Sequence, residues 1–126
     1  MVVQIVDSVP GGETGGYEWE TPSSKLTLRQ IIGERVRREV ELYNANRPSV
    51  YTGLVQPGET ERMLNGERPR RELDPEHEIE RACRAYAANG FVVFAGGEQI
   101  ESLDAEIDLA TAKQLEFIRL MPLAGG

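Results

Sequence analysis

Two glycines, Gly125 and Gly126, follow Leu123 and Ala124 at the last positions of the sequence. Glycine loses more conformational freedom on ordering than any other residue, so a glycine pair is a poor way to end a folded element. Because glycine has no β-carbon, however, such a segment can pass through a narrow channel into the active site of another protein. We expect the unhindered Gly126 carboxylate to be the group that reacts there.

Pro122 separates this segment from the apolar stretch at residues 115–121. Since proline has no backbone N–H, it weakens any continuation of a sheet ladder, and we expect it to release residues 122–126 as a flexible tail. The alternative is a frayed terminus that happens to end in two glycines, because Gly-Gly by itself is a weak motif.

The rest of the chain has few residues with the types and spacing of a catalytic or metal-binding site. Cys83 and His77 are the single cysteine and the single histidine, and at roughly 100° per residue they fall on opposite sides of a helix. One residue of each type provides no zinc-ligand spacing. The glycine-rich run 11–16 lacks the lysine of a phosphate-binding loop, and the acidic residues between 98 and 108 lack an EF-hand pattern. We therefore expect no catalytic residue, no metal and no cofactor.

The charge of the chain restricts its partners. The 126 residues carry a formal net charge of −7, which argues against nucleic acid, because that affinity rests on Lys and Arg neutralising phosphates. A membrane surface is disfavoured for the same reason, and no stretch approaches the length of a membrane span.

Residues 1–7 lack the features of a signal peptide. The single cysteine fits a reducing compartment, so we expect a cytoplasmic protein.

An N-terminal hairpin and a long helix are predicted ahead of the C-terminal strand. Residues 2–6 are β-branched and predict a strand, 10–16 predict a long flexible loop, and 17–21 alternate as in a half-buried strand. Thr27 and Gln30 have the form of a capping box. The helix after them has one apolar face, formed by Leu28, Ile31, Ile32, Val36, Val40 and Tyr43.

The long helix is predicted to end within residues 44–48, because the residue before Pro48 avoids the helical region. Gly33 inside this helix costs about 1 kcal/mol relative to alanine, and we interpret it as a sign of close packing against the sheet. Residues 48–73 are less regular and predict an insertion with one short helix at 60–64.

A second helix is predicted after the insertion, with Asp74 as N-cap and Pro75 in its first turn. Asn89 and Gly90 supply a left-handed C-cap. Its apolar stripe is predicted to comprise Ile79, Ala82, Cys83, Tyr86 and Ala87.

Three strands are predicted in the last third, a buried one at 91–94, a short one at 99–102 and the last at 114–121. Residues 95–97 and 103–109 are expected to form turns. The predicted order is two strands, a helix, an insertion, a second helix and three further strands. This order predicts an α+β domain, with a mixed sheet packed on a long helix.

The last predicted strand has two apolar faces. Because successive side chains of a strand point to opposite faces, Leu115, Phe117 and Arg119 share one face. Glu116, Ile118 and Leu120 share the other. We expect Leu115 and Phe117 to be buried. Ile118 and Leu120 then either form an exposed docking patch or lie beneath the insertion.

The segment from Phe94 to Leu103, together with residues 107–109 and 115–126, resembles the C-terminal half of ubiquitin. There a strand ends in Phe-Ala-Gly, a short Gln-Leu-Glu strand and a turn follow, and a last strand leads to Gly-Gly. The closer resemblance is to the ubiquitin-like proteins of bacterial ubiquitination-like operons. It covers most of the chain and is carried further by Leu28-Arg29 at the start of the long helix, Tyr43-Asn44 at its end, and Gly53-Leu54-Val55.

The resemblance implies a β-grasp (ubiquitin-like) domain at 1–121 with an insertion at about 46–90, followed by a conjugation tail at 122–126. It also implies a protein modifier rather than an enzyme. A cognate activating enzyme, using ATP and Mg²⁺, would activate Gly126 and pass the chain as a thioester to a conjugating enzyme, which attaches it to target proteins. A deubiquitinase-type peptidase is the fourth implied partner.

The tail departs from ubiquitin, which has arginines where this chain has Pro122 and Ala124. We therefore expect Pro122, Leu123 and Ala124 to be read by an activating enzyme with a more apolar preference. With Lys25 and Lys113 as the only lysines, lysine-linked chains are disfavoured. Sulfur carriers share the β-grasp fold and the Gly-Gly end, so the alternative is a carrier that forms a thiocarboxylate at Gly126. A third alternative is an interaction module whose terminus is inert.

Overall fold

Five strands form a mixed sheet in the computed structural model, which describes residues 1–46, 54 and 72–120. They are β1 (Val2–Val9), β2 (Gly12–Glu20), β4 (Phe91–Ala95), β5 (Glu98–Ile100) and β7 (Gln114–Arg119), arranged in the order β2-β1-β7-β4-β5. A second, two-stranded sheet pairs β3 (Lys25–Thr27) with β6 (Glu106–Asp108). The helices are α1 (Leu28–Asn46), α2 (Pro75–Ala87) and α3 (Leu109–Ala112). The described residues therefore confirm an α+β protein with a mixed sheet.

The described residues fall into two compact units, and the boundary lies within α1. The first unit contains Met1–Ile31 and the described residues from Asn89 onward, and so it holds both sheets. The second contains the described residues between Ile32 and Ala88, which include most of α1 and all of α2.

The β1–β2 hairpin has a short turn where the sequence predicts a long loop over 10–16. Val9 pairs with Gly12, so the turn consists of Pro10 and Gly11. Proline fixes its own φ, and Gly11 adopts a φ of +110° that favours glycine. Ladder hydrogen bonds are made by the backbone, so a segment poor in side chains can still extend β2. The predicted long loop is therefore wrong.

β7 lies between β1, to which it is parallel, and β4, to which it is antiparallel. Leu115 and Phe117 are 0% and 1% exposed, which confirms the predicted buried face of the last strand. The Phe91 and Phe117 rings pack in a tilted arrangement with centroids 6.2 Å apart. Their buried neighbours on the same face of the sheet are Val3, Ile5 and Val93.

The start of α1 has the predicted capping box. The Thr27 N–H donates to Gln30 Oε1 at 2.9 Å, and the Gln30 N–H donates to Thr27 Oγ1 at 3.2 Å. Two further N–H groups at this end, those of Leu28 and Arg29, donate to backbone carbonyls in the segment before β6. The predicted apolar face is confirmed as buried at Leu28, Ile31, Ile32, Val36, Val40 and Tyr43.

α2 also begins and ends as predicted. Asp74 accepts a hydrogen bond from the Glu76 N–H at 3.1 Å, Pro75 is the first helical residue, and Asn89 after the helix has a φ of +62°. The predicted stripe is buried less completely than expected. Ala82 is fully buried, Ile79, Cys83 and Tyr86 are intermediate, and Ala87 is exposed.

Residues 103–109 contain more structure than the predicted turn. Glu106–Asp108 form β6, and α3 follows with Asp108 as its N-cap, accepting from the Ala110 N–H at 3.0 Å. β6 pairs with β3, a strand that the sequence pattern does not predict. The predicted turn at 103–109 is therefore wrong. Strands of three residues are too short to show an alternating pattern, and these two pair across a long sequence separation.

Within the second unit, hydrogen bonds attach Leu54 and Leu73 to α1. Asn44 exchanges two hydrogen bonds with the backbone of Leu73, at 2.8 and 3.1 Å. Leu54 is buried, and its N–H donates to Glu39, which also pairs with the buried Arg35 at 3.2 Å. The short helix predicted at 60–64 lies outside the described residues.

Replacing Gly33 by alanine is expected to raise the free energy of unfolding by about 1 kcal/mol, because alanine favours a helix interior. A β-carbon at Gly33 would lie 3.9 Å from Ile79 Cγ2 of α2, which is ordinary contact. Its nearest neighbours are therefore on α2, not on the sheet as the sequence suggested. Urea unfolding of the two proteins measures the change, and a destabilised Gly33→Ala variant would contradict this packing.

Replacing Gly16 by alanine is expected to destabilise the protein by about 1–3 kcal/mol, because extra atoms in a packed site force the backbone to move. A β-carbon there would collide with the Ile5 carbonyl oxygen. Gly15 is the matched control, since a β-carbon there meets nothing within 4 Å. Thermal unfolding should show a lower midpoint for Gly16→Ala only, and equal midpoints for both variants would refute the assignment.

Candidate functional site

The five residues on which the predicted chemistry depends, Pro122, Leu123, Ala124, Gly125 and Gly126, lie outside the described part of the chain. Their proposed roles therefore remain predictions. The structure does describe the strand that leads to them, and the candidate site is built from β7 and its neighbours.

β7 is held along both sides as it approaches the tail. Its residues pair in register with β1 from Gln4↔Gln114 to Ser8↔Ile118, and with β4 from Ala95↔Leu115 to Phe91↔Arg119. The Leu120 N–H then donates to the Gly90 carbonyl at 3.1 Å. The position from which the chain continues towards the tail is thus fixed by the start of β4.

The Ile118 face is the face of the sheet that carries Val92, Phe94, Glu116 and Ile118. Ile118 lies opposite Val92 on one side and Ser8 on the other, while Glu116 lies opposite Phe94. Val92, Phe94 and Ile118 are half-buried. Leu120, just beyond the strand, is 42% exposed. Partly exposed apolar side chains therefore line this face up to the last described residue.

A carboxylate is fixed among these apolar groups. The Ser8 hydroxyl, which is 4% exposed, donates to Glu116 Oε2 at 2.7 Å. A hydrogen bond to a charged acceptor is short and strong, so it holds the Glu116 side chain in one orientation. The Ile118 face thus combines apolar contact area with an oriented acceptor, which suits recognition of another protein.

Ile118 and Leu120 were predicted for this surface from the sequence, whereas Val92, Phe94 and Ser8 were not. The run Phe91–Phe94 has four consecutive apolar residues, which predicts a strand buried on both faces. The structure corrects this, because Phe91 and Val93 are buried whereas Val92 and Phe94 are half-buried. The alternative prediction, that the insertion covers the Ile118 face, concerns residues largely outside the described ranges.

A shallow pocket of about 250 Å³ lies in the first unit, beside the β4–β5 turn and α3. Its polar lining includes Glu98, Glu106 and Asp108, and its apolar lining includes Ile100 and Ile107. Asp108 is already engaged as the α3 N-cap. In the described ranges, no group of three or more His, Cys, Asp or Glu residues is placed to hold a metal ion.

Cys83 and His77 both lie on α2, as predicted, with different environments. Cys83 is of intermediate burial, whereas the His77 side chain is 60% exposed and its Nε2 lies 4.0 Å from Glu78 Oε2. Glu78 itself is buried and accepts from Arg81 at 2.8 Å. The sequence pattern does not predict the burial of Glu78 or its pairing with the half-buried Arg81, because acidic and basic residues normally predict a solvated helix face.

Comparisons with known proteins add no family. No protein-family model matches the sequence. A search of curated proteins finds no similar sequence. Among the residues that the structure describes, no helix is long and apolar enough to cross a membrane.

Substitutions at adjacent positions of β7 should separate the core from the Ile118 face. Phe117→Ala should lower the free energy of unfolding by about 3–5 kcal/mol, because it leaves a cavity in the core. Ile118→Thr keeps a β-branched side chain on a half-buried face, so its cost should stay below about 1 kcal/mol. Chemical denaturation monitored by Trp19 fluorescence measures both, and similar losses would show that the two faces are equally buried.

Proposed function

We propose that this chain is a ubiquitin-like protein modifier of the β-grasp class, attached to target proteins through the Gly126 carboxylate. The observation that carries the proposal is the position of β7. It is the central strand, it runs parallel to β1, and the sequence after it leads through Pro122 to two glycines.

The topology supports the β-grasp assignment. An N-terminal hairpin precedes a long helix, and the first strand of the hairpin pairs in parallel with the last strand of the described chain. The order β2-β1-β7-β4-β5 places the remaining two strands on the other side of β7. This order is compatible with a β-grasp, the class that the resemblance to ubiquitin implies.

The chemistry would occur on partner enzymes. An activating enzyme first joins the Gly126 carboxylate to AMP, with ATP and Mg²⁺ as its co-substrates and pyrophosphate as the leaving group. A cysteine thiolate of that enzyme then displaces AMP and forms a thioester, which passes to a conjugating enzyme. An acceptor nucleophile on the target displaces the thiol. This chain contributes only an accessible carbonyl, and glycine leaves that carbonyl unhindered.

The Ile118 face would serve as the docking surface in this pathway. Its half-buried apolar groups lie on the strand that leads to the tail, so a partner bound there would receive the tail close to its contact surface. The hydrogen bond from Ser8 to Glu116 gives such a partner a fixed carboxylate to recognise. Apolar area with a few oriented polar groups is the usual composition of an interface.

Removing Gly125 and Gly126 should abolish thioester formation with the cognate activating enzyme and leave the thermal unfolding midpoint unchanged. The experiment needs ATP, Mg²⁺ and a non-reducing gel. Ile118→Thr is the comparison variant, because it keeps the tail and should still form the thioester, but at a lower rate, since it alters the proposed docking surface. A truncated chain that still forms the thioester would refute the proposal.

Conjugates formed in cells have a defined signature. Arg119 is the last basic residue in the sequence, so trypsin should leave residues 120–126 linked through Gly126 to the acceptor residue. Mass spectrometry of the tagged protein and its covalent ladders detects this remnant. If the intact protein instead exchanges one carboxylate oxygen for sulfur, without ladders, the sulfur-carrier alternative is supported.

A further inference from the structure

β2 forms one edge of the five-stranded sheet. It is nine residues long and, among the described residues, it pairs with β1 alone. All of its residues are exposed except Tyr17 and Trp19, which are half-buried. An edge of this length offers a row of backbone N–H and C=O groups to an added strand.

The register shows which backbone groups face outward. The Thr21 N–H donates to the Met1 carbonyl at 2.9 Å, which makes these two residues a hydrogen-bonded pair. Because such pairs alternate along an antiparallel ladder, Trp19 and Tyr17 direct their backbone groups towards β1. The backbone groups of Glu20, Glu18 and Gly16 therefore point away from the sheet. The register is regular over this stretch and shifts only beyond Gly15.

Side chains alternate in character along the same stretch. Glu18 and Glu20 share the face of the sheet that carries Ile118, and both are exposed. Glu20 already attracts one cation, since its Oε1 accepts from the Met1 ammonium at 2.9 Å. Tyr17 and Trp19 lie on the opposite face, beside the buried Ile5 and Val3. The edge thus presents acidic positions on one face and aromatic positions on the other.

We propose that the edge at residues 16–20 binds an extended segment of another protein as an added strand. The segment would have Lys or Arg at alternate positions, next to Glu18 and Glu20, and apolar residues between them, next to Tyr17 and Trp19. Main-chain hydrogen bonds supply affinity in this mode of recognition, and alternate side chains supply specificity. Opposite charges on neighbouring strands stabilise the pairing.

The negative charges of Glu18 and Glu20 favour a basic segment over a second copy of the chain at this edge. If two β2 edges paired, the residues with outward backbone groups would lie opposite each other, so glutamates would face glutamates or glycine. Like charges directly opposite are destabilising, and each chain carries a net charge of −7. The inference does not use the C-terminal tail, so it stands independently of the proposed modifier function.

The probe is a short capped peptide of alternating lysine and valine, titrated into the isotope-labelled full chain. Amide hydrogen exchange should slow at Glu18 and Glu20, whose N–H groups point outward. The amides of Tyr17 and Trp19 already bond to β1 and should change little. A peptide of the same composition with all lysines grouped together, and one with glutamate in place of lysine, should bind more weakly.

Charge reversal gives the decisive comparison. Glu18→Lys combined with Glu20→Lys should weaken binding of the lysine peptide by about tenfold, as expected for losing two cross-strand ion pairs, and should favour the glutamate peptide. Glu98→Lys combined with Glu101→Lys is the matched control, because it changes the net charge equally at exposed positions outside β2. If both double variants weaken binding of the lysine peptide equally, the effect comes from overall charge and the proposal is overturned.

A backbone variant tests strand addition directly. Glu18→Pro removes an outward N–H without removing a donor to β1, so it should abolish the exchange protection, whereas Glu18→Ala should retain part of it. Far-ultraviolet circular dichroism checks that both variants fold, and the charge-reversal pair remains informative if the proline variant does not. Protection of the same amides without peptide, together with a dimer in sedimentation, would assign the edge to a second copy and overturn the proposal.

Discussion

The pairing of β7 with β1 and β4 is the interaction on which the sheet depends. β7 is the last strand of the described chain, and it joins the N-terminal hairpin to the β4–β5 hairpin. Without it, the sheet would separate into two hairpins, and isolated hairpins are at best marginally stable in water. The aromatic contact between Phe91 and Phe117 and the burial of Leu115 reinforce the same junction. A substitution within β7 therefore affects both halves of the sheet.

Local signals predicted the fold well where a single side chain determines the backbone. The capping box at Thr27, the Asp74 cap and the αL residue Asn89 are all present. The two caps accept hydrogen bonds from backbone N–H groups a few residues away, and Asn89 ends its helix locally. The alternation of β7 also identified its buried face correctly. These features need no knowledge of the rest of the chain.

Features that depend on distant pairing were missed. β3 and β6 stabilise each other across most of the sequence, and the glycine-rich start of β2 is ordered by β1. The half-exposure of Val92 and Phe94 follows from the position of β4 within the sheet. The candidate site was anticipated at Ile118 and Leu120, but the Ser8–Glu116 hydrogen bond joins residues that no sequence window contains together.

The reciprocal hydrogen bonds between Asn44 and Leu73 have a consequence for how this chain tolerates change. They bring the two ends of the intervening segment together beside the end of α1, and α2 begins two residues after Leu73. The entropy of closing such a loop grows only with the logarithm of its length, so doubling it costs about 0.6 kcal/mol. Because Asn44 holds Leu73 and Glu39 holds Leu54, residues between Leu54 and Leu73 can be added or removed while both helices keep their ends. Length variation between related chains should therefore concentrate between Leu54 and Leu73.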